Sequence, residues 1–375
     1  MIKKNSINIG LIGCGIVGLK RLDNLPNKFR LIGCADPIIS LDKIFKKKSN
    51  LFLTKDWRKL IKLKNLKAVI VATTHHLQSQ IISECVNKNI HVFVEKPGGI
   101  SKKETYKIIL KLKKKKTKTN IRVGFNHRYH SAFLKAKELI KNKIFGKILY
   151  IRAVYGHGGR LGYEKEWRFK KKFSGGGELI DKGSHLIDLS RFFLGDLQIV
   201  SSNLKNFFWK MSLEDNCFLN LENKYGANAF LHASCTEWKN KFLFEIFCKY
   251  GKIEIKGLGK SYGEEKLILY KMTKKMGKPL MKEYKFSKKD LSWKKELEEF
   301  YLDIIKKREN LVNNVLKLKK NRSEIVDKKR IKEILKNIRK KSLKNNIDPK
   351  ITNKIWKNMI YAYIDFERRN FSKKK

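Results

Sequence analysis

The chain has 375 residues, which is more than one ordinary domain holds and predicts two or three domains. Hydrophobic residues make up 42% and aromatic residues 11%, so a sizeable core can form and a wholly disordered chain is excluded. Lys and Arg number 87 against 35 Asp and Glu, a formal net charge of +52. These basic residues are spread along the whole chain without an aromatic-interleaved motif. We therefore attribute the positive charge to a biased amino-acid composition and a general attraction for anions, in preference to specific nucleic-acid binding.

The six cysteines form no CxxC and no paired spacing, so we expect neither a zinc site nor a disulfide framework. The first residues run directly into a strand-like segment whose apolar stretch is short and interrupted by glycine, unlike a signal peptide. No apolar run approaches the length of a membrane span. We therefore expect a cytoplasmic protein that binds no metal and no membrane.

Strands and helices alternate in the first third of the chain, which predicts βαβ units and a parallel sheet within a domain of residues 1–122. The apolar runs that indicate strands are short, and the segments between them carry apolar residues at helical spacing. The predicted elements are strands at 7–12, 29–35, 67–72 and 90–94, and helices at 19–25, 77–85 and 104–112.

From Ile121 onward, strands rich in β-branched and aromatic residues follow one another, which predicts an antiparallel sheet covered by helices in residues 123–291. After Ser292 the strands cease, and apolar residues at helical spacing predict a tail of about three helices in residues 292–375. Between these points we predict strands at 121–125, 147–155, 199–209, 216–220, 227–235, 242–248 and 251–255, and helices at 132–142 and 179–193.

A GxGxxG motif follows the first predicted strand and opens a helix. Gly13 permits a tight turn, Gly15 lets a pyrophosphate approach the backbone, and Gly18 lets the helix pack on the strand. Asp36 ends the second predicted strand, where a carboxylate hydrogen-bonds the ribose hydroxyls of a dinucleotide. Because a carboxylate also repels a 2′-phosphate, we predict NAD ahead of NADP as the cofactor.

Two later motifs carry residues suited to acid-base chemistry. Glu95-Lys96-Pro97 ends a strand at the sheet edge where α/β proteins bind ligands. Asp181 and His185 lie four residues apart in a glycine-rich segment, so on a helix they share one face. An isolated Asp/His pair of this kind is more often structural than catalytic, and only its combination with the other motifs favours catalysis.

The glycine loop, Glu95-Lys96-Pro97, the segment 124–128 and the segment 175–188 occur in an order that resembles the family of glucose–fructose oxidoreductase, inositol dehydrogenase and MocA. The resemblance covers residues 7 to about 300. It implies a Rossmann domain, an α/β domain with an open antiparallel sheet, and a homo-oligomer. It places Lys96, Asp181 and His185 in the catalytic positions. It also implies cofactor contacts from Ile16, Val17, Thr73, His75, Glu95 and Lys96, and substrate contacts from Asn126, Arg160, Trp167, Arg168 and Asp181.

These residues could oxidise a secondary alcohol or run the reverse reaction. His185 could accept the hydroxyl proton near neutral pH, and Lys96 could hydrogen-bond the same oxygen and offset its negative charge. Asp181 could orient the substrate or His185, and the nicotinamide would take the hydride. We therefore predict an oxidoreductase acting on a sugar, a nucleotide sugar or a cyclitol. A regulatory protein that binds NAD without turnover is the alternative, and the intact set of three residues argues against it.

The helical tail resembles the AroQ-type chorismate mutase domain, through segments at 304–308, 311–312, 326–330, 346–349 and 355–367. Arg308 and Lys319 are three helical turns apart and share a face, where they could bind carboxylates. Arg330 and Glu367 complete the candidate second site, although Ile331 stands where mutases usually have a Glu. Two interpretations remain open: a dimerisation unit without activity, or a working site for a chorismate-like acid that makes the chain bifunctional.

Overall fold

The computed structural model describes residues 6–38, 40–45, 50–115, 119–259, 261–286 and 289–318, and the short stretches 335–339, 342–343, 348–349 and 353. The chain forms two compact units, Met1–Tyr301 and Leu302–Lys375. The first unit contains both sheets. Within the described residues no helix is both long enough and apolar enough to cross a membrane. All six cysteines are buried free thiols.

The first sheet has six parallel strands in the order β3-β2-β1-β4-β5-β6, with the helices in the connections between them. Its central strands are mostly apolar, as expected for a parallel sheet that is covered on both faces. The strands are β1 Ile7–Ile12, β2 Phe29–Ala35, β3 Phe52–Thr54, β4 Ala68–Val71, β5 His91–Glu95 and β6 Ile121–Gly124. The helices are α1 Ile16–Asp23, α2 Leu41–Phe45, α3 Trp57–Leu60, α4 His75–Asn87 and α5 Lys102–Lys115.

The second sheet has eight strands in the order β14-β13-β12-β11-β7-β10-β9-β8. Alternate strand residues point to one face and form an apolar core with α6 and α8. The strands are β7 Ile148–Gly156, β8 Leu197–Lys205, β9 Asn216–Asn223, β10 Asn228–Ser234, β11 Lys241–Cys248, β12 Gly251–Lys256, β13 Lys266–Lys271 and β14 Leu280–Lys285. The helices are α6 Ser131–Lys141, α7 Lys171–Ser174, α8 Ser184–Leu194 and α9 Ser292–Leu318.

The two-sheet architecture confirms the predicted fold class, with several local corrections. The second sheet is antiparallel except for the parallel pair β7 and β10. The predicted strand 199–209 ends at Lys205, because the Asp215 carboxylate accepts backbone N–H groups of the following residues and turns the chain into a loop. The first helix ends at Asp23, short of Leu25. The predicted helix 179–193 opens with a π-helical turn at Leu179–Gly183.

Strands β3, β13 and β14 are absent from the sequence prediction. Strand β3 has only three residues, and the edge strand β14 is mostly exposed and rich in Lys and Glu, so neither carries a clear apolar alternation. The strand Ile121–Gly124 pairs with β5 and completes the parallel sheet. It spans the predicted domain boundary between residues 122 and 123. The three predicted domain ranges stay predictions.

Helix α9 begins against the parallel-sheet domain. The buried Arg21 side chain of α1 donates from Nε to Glu95 Oε1 at 2.6 Å, and its Nη1 lies 2.9 Å from Glu296 Oε2 of α9. The guanidinium also lies over the Trp293 ring, 4.2 Å from its centroid. Because Glu95 directly precedes Lys96, this cluster fixes the chain at the start of the Glu-Lys-Pro segment.

Helix α9 continues to Leu318, and residues 335–339 are also helical. Three residues of the candidate second site, Lys319, Arg330 and Glu367, lie outside the described residues, as does the side chain of Arg308. The arrangement of that site stays a prediction.

Candidate active site

The glycine loop between β1 and α1 has the geometry that a dinucleotide requires. Gly13 has a φ of +89°, and a Cβ there would lie 2.6 Å from the Ala72 carbonyl oxygen. A Cβ at Gly18 would lie 2.0 Å from the Gly13 carbonyl oxygen, whereas one at Gly15 would meet no atom within 4 Å. The first and third glycines therefore pack the loop, and the second leaves the backbone open at the N-terminus of α1.

Asp36 lies beside this loop, directly after β2. Its Oδ2 accepts the backbone N–H of Cys14 at 2.8 Å, and its Oδ1 accepts that of Ile38 at 2.9 Å. The side chains of Ile16 and Ile38 are 88% and 91% exposed, and Val17 is partly buried. An open backbone at a helix N-terminus, a fixed carboxylate and two exposed apolar side chains fit the phosphates, ribose and base of a dinucleotide.

The other residues predicted to contact the cofactor lie at the ends of β4 and β5. Thr73 donates from Oγ1 to its neighbour's carbonyl at 3.2 Å. The buried His75 donates from Nδ1 to the Ser174 carbonyl at 2.9 Å, and its ring meets the Trp167 ring edge-on at 5.0 Å. The Glu95 carboxylate accepts the hydrogen bond from Arg21 Nε. Contact of these side chains with a cofactor stays a prediction.

The centre of the candidate site is the ion pair between Lys96 and Asp181. The Lys96 ammonium donates to Asp181 Oδ1 at 2.5 Å and to the Asp181 backbone carbonyl at 2.6 Å. Burial by itself raises the pKa of Asp181, but the positive charges of Lys96, Lys182 and Arg168 outweigh it and hold that pKa well below its usual value. Asp181 is therefore a carboxylate at neutral pH and fixes the lysine from the end of β5.

His185 lies one helical turn after Asp181, at the start of α8. Its ring stacks on the His127 ring with centroids 3.9 Å apart, and Phe125 meets it edge-on at 5.7 Å. Burial, aided by the charge of Lys96, lowers the pKa of His185 well below its usual value. Its Nδ1 atom is enclosed and has no hydrogen-bond partner among the described residues. A proton-transfer role of this ring stays a prediction.

The predicted substrate residues divide into two groups. Arg160, Trp167 and Arg168 lie in the loop after β7, where Arg160 pairs with Glu166 and Arg168 Nη1 lies 3.3 Å from the same carboxylate. The positive charge of Arg168 is one of those that lower the pKa of Asp181. Asn126 instead donates from Nδ2 to the Ser292 hydroxyl at 3.0 Å, at the start of α9.

Two side chains beside the candidate site received no role in the sequence analysis. His127 occurs within the segment 124–128, but only the tertiary fold stacks it on His185. Lys182 directly follows Asp181 in sequence and is buried beside it. In the sequence, the position of Lys182 next to a candidate catalytic carboxylate is the one feature that indicates a role for it. Among the described residues no group of three or more His, Cys, Asp or Glu side chains could hold a metal ion.

The parallel sheet with its glycine loop has the architecture of a dinucleotide-binding Rossmann domain, and a second, mainly antiparallel sheet follows it. Residues 7–125 match the oxidoreductase family with an NAD-binding Rossmann fold, and residues 133–254 match the GFO/IDH/MocA C-terminal domain. The chain belongs to this GFO/IDH/MocA oxidoreductase family. Residues 296–368 match chorismate mutase type II, so the chain also carries the predicted C-terminal domain.

Levoglucosan dehydrogenase of Pseudarthrobacter phenanthrenivorans is 29% identical to this chain over 163 residues, which are 43% of the chain and 41% of that protein. Myo-inositol 2-dehydrogenase of Thermotoga maritima is 27% identical over 195 residues, which are 51% of the chain and 55% of that protein. The matched part of the chain thus spans about half the length of these curated relatives. A structure of levoglucosan dehydrogenase with NADH and L-sorbose has a TM-score of 0.71 at 20% identity, covering 81% of this chain and 90% of that one, and supports the fold.

The lowered pKa values of four histidines predict how the stability of the fold depends on pH. Burial lowers the pKa of His75 to about 4 and that of His157 to about 3, and lowers those of His127 and His185 well below the usual value. In the unfolded chain each imidazole has a pKa of about 6.5. Below that pH the unfolded state binds more protons, so the free energy of unfolding should fall as the pH drops from 6.5 towards 4.

The urea midpoint, measured between pH 8 and pH 4.5, should therefore be level above about pH 7 and decrease steadily below about pH 6.5. His75→Phe removes one of the buried imidazoles and should make the decrease shallower. A midpoint that stays constant from pH 7 to pH 5 would show that these rings are not held neutral by the fold.

Proposed function

We propose that this protein oxidises a secondary hydroxyl group of a sugar or cyclitol with NAD, or reduces the corresponding ketone. The observation that carries the proposal is the ion pair of Lys96 with Asp181 beside the buried His185, on the chain that also forms the glycine loop. The relatives named levoglucosan dehydrogenase and myo-inositol 2-dehydrogenase support a polyhydroxylated substrate.

The glycine loop and Asp36 would hold NAD, which would supply the acceptor for the hydride on the carbon that carries the hydroxyl group. His185 accepts the hydroxyl proton at Nε2, because its low pKa keeps the ring neutral and its Nδ1 is enclosed. The Lys96 ammonium donates a hydrogen bond to the substrate oxygen and stabilises its developing negative charge. Asp181 keeps Lys96 in place, and Trp167 and Arg168 contact the remainder of the substrate.

The glycine loop and Asp36 hold the cofactor in this proposal. The α1 N-terminus binds the pyrophosphate through its open backbone, and the Asp36 carboxylate binds the ribose hydroxyls of the adenosine. Both Asp36 oxygens already accept a backbone N–H, so the carboxylate is rigidly placed and its charge opposes a 2′-phosphate. For this reason we propose that the protein prefers NAD to NADP as its cofactor.

Lys96→Ala and His185→Ala should each lower kcat about 10²-fold or more, because one loses the oxyanion donor and the other the proton acceptor. NAD affinity, measured by quenching of protein fluorescence, should stay within about threefold, since neither residue lies in the glycine loop. The assay follows NADH absorbance with a panel of cyclitols, anhydrosugars, free hexoses and hexose phosphates. Lys224→Ala, in the exposed turn between β9 and β10, is the control and should leave kcat unchanged.

If the wild-type protein binds NADH but oxidises no member of a broad panel, the non-catalytic NAD-binding alternative gains support. If the wild type turns over and either alanine variant keeps near-normal kcat, the role given to that residue is wrong.

Asp36→Ser should weaken NAD binding and shift the preference towards NADP, because the serine hydroxyl neither repels a 2′-phosphate nor binds the ribose diol as two acceptors. The measurement is the ratio of kcat/KM for NAD to that for NADP in the wild type and the variant. An unchanged ratio would contradict the position of Asp36 at the adenosine ribose.

A second candidate function belongs to the tail, because residues 296–368 match chorismate mutase type II. If that domain is active, the full-length chain should consume chorismate or an amino or iso analogue, and Arg308→Ala should abolish consumption because a bound carboxylate loses its bidentate partner. The dehydrogenase activity of the same variant serves as the control. If no such acid is consumed, a purely structural tail remains, and light scattering of a chain ending near Lys307 tests whether it holds a dimer together.

A further inference from the structure

Lys182 is a buried lysine in the π-helical turn Leu179–Gly183, next to Asp181. It is 4% exposed, an unusual state for a lysine, because removing an ammonium ion from water costs several kcal/mol unless partners compensate. Its Nζ lies 2.9 Å from Glu178 Oε2 and 3.3 Å from Asp181 Oδ2. The buried lysine is thus matched by two carboxylates, one within the turn and one from the residue directly before it.

These contacts complete a row of four alternating charges. Glu178 binds Lys182, Lys182 binds Oδ2 of Asp181, and Lys96 binds Oδ1 of Asp181. The two oxygens of the carboxylate are therefore held by two different lysines. One lysine comes from the end of β5 and the other from the turn that carries Asp181 itself.

We infer that Lys182, oriented by Glu178, is a positioning residue for the proposed dehydrogenase reaction, on which this inference rests. The terminal torsion of an Asp side chain is broad, so a single partner leaves the carboxylate free to rotate. A second lysine on Oδ2 fixes that torsion and keeps Oδ1 directed at Lys96. The Lys96 ammonium is then held where it can meet the substrate oxygen, within the tolerance of about 0.5 Å that catalytic groups require.

The same arrangement assigns Asp181 its role. Both of its oxygens already accept hydrogen bonds from ammonium groups, so its carboxylate anchors Lys96 and is not the proton acceptor. His185 is left as the acid-base group. Glu178 acts one step further away: it is fully buried, and its Oε2 compensates the charge of Lys182.

Removing the charge of Lys182 should make Asp181 and His185 take up protons at higher pH. The positive charge of Lys182 lowers the pKa of both Asp181 and His185, so its loss raises both. Oxidation requires the carboxylate and the neutral imidazole, and therefore the acid limb of kcat/KM moves to higher pH. The other titratable groups whose charges interact with Lys182 or Asp181 are His75, Lys96, Tyr155, His157, Tyr163, Arg168, Glu178, Cys235 and Tyr262.

The test compares Lys182→Met with Lys182→Arg in the full-length protein, using the sugar panel and NAD. Lys182→Met should lower kcat about tenfold or more with both KM values within about threefold, and should raise the pH of the acid limb by about one unit. Lys182→Arg retains the charge and should restore the acid limb and most of kcat. Lys252→Met is the matched control, because Lys252 also bonds two carboxylates, Glu245 at 2.9 Å and Glu254 at 2.6 Å, on strands away from the site.

Lys182→Met leaves Glu178 buried without its partner, so the double variant Lys182→Met/Glu178→Gln supplies a second route if the single variant does not fold. It should show the same loss of kcat and the same shift of the acid limb. A folded variant with wild-type kcat and pH profile would overturn the inference, as would equal effects of Lys252→Met.

A crystal structure of Lys182→Met provides a readout that needs no substrate. We expect Asp181 to rotate and its contact with Lys96 to lengthen beyond 4 Å. If the wild-type protein oxidises no sugar, the proposed function fails, and the crystal structure alone then decides the role of Lys182. A variant structure that retains the 2.5 Å contact between Lys96 and Asp181 would contradict the positioning role whatever the activity.

Discussion

The ion pair of Lys96 and Asp181 joins the end of a parallel strand to the helical turn that precedes His185. The two residues are 85 positions apart in sequence, yet the Lys96 ammonium reaches both the carboxylate and the backbone carbonyl of Asp181. Burying such a pair gains little net stability, because desolvation opposes the attraction between the charges. What the pair provides is geometry. It places a cation next to the buried imidazole that we propose as the acid-base group.

Other contacts of the fold fix the two ends of this pair. On one side, Arg21 binds Glu95, the residue before Lys96, and links it to Glu296 of α9. On the other side, Asp181 lies in a π-helical turn whose Lys182 holds the second carboxylate oxygen. The desolvation cost of these buried charges is thus compensated by oppositely charged partners around the candidate site. Tight support of this kind is what a group must have if it is to stabilise charge in a transition state.

Short stretches of sequence are enough to predict the features of this protein that depend only on adjacent residues. The glycine loop and Asp36 are predictable because turn geometry and helix N-termini depend on a few adjacent residues, and most strand positions follow from apolar runs. The stacking of His127 on His185 and the link from Arg21 to Glu296 join distant segments, so no pattern within a window reveals them. Strand β14 escaped prediction because a polar edge strand lacks alternation. The roles of Lys96, Asp181 and His185 rest on resemblance together with their proximity, and stay a proposal.

The central claim is that Lys96 and Asp181 act as one unit. A double-mutant cycle on kcat/KM with Lys96→Met, Asp181→Asn and the combined variant tests it most directly. If Asp181 acts by holding Lys96, the combined variant should be about as slow as the slower single variant, giving a large coupling energy. If the two losses simply multiply, the residues act independently, and the proposed role of Asp181 as the anchor of Lys96 is contradicted.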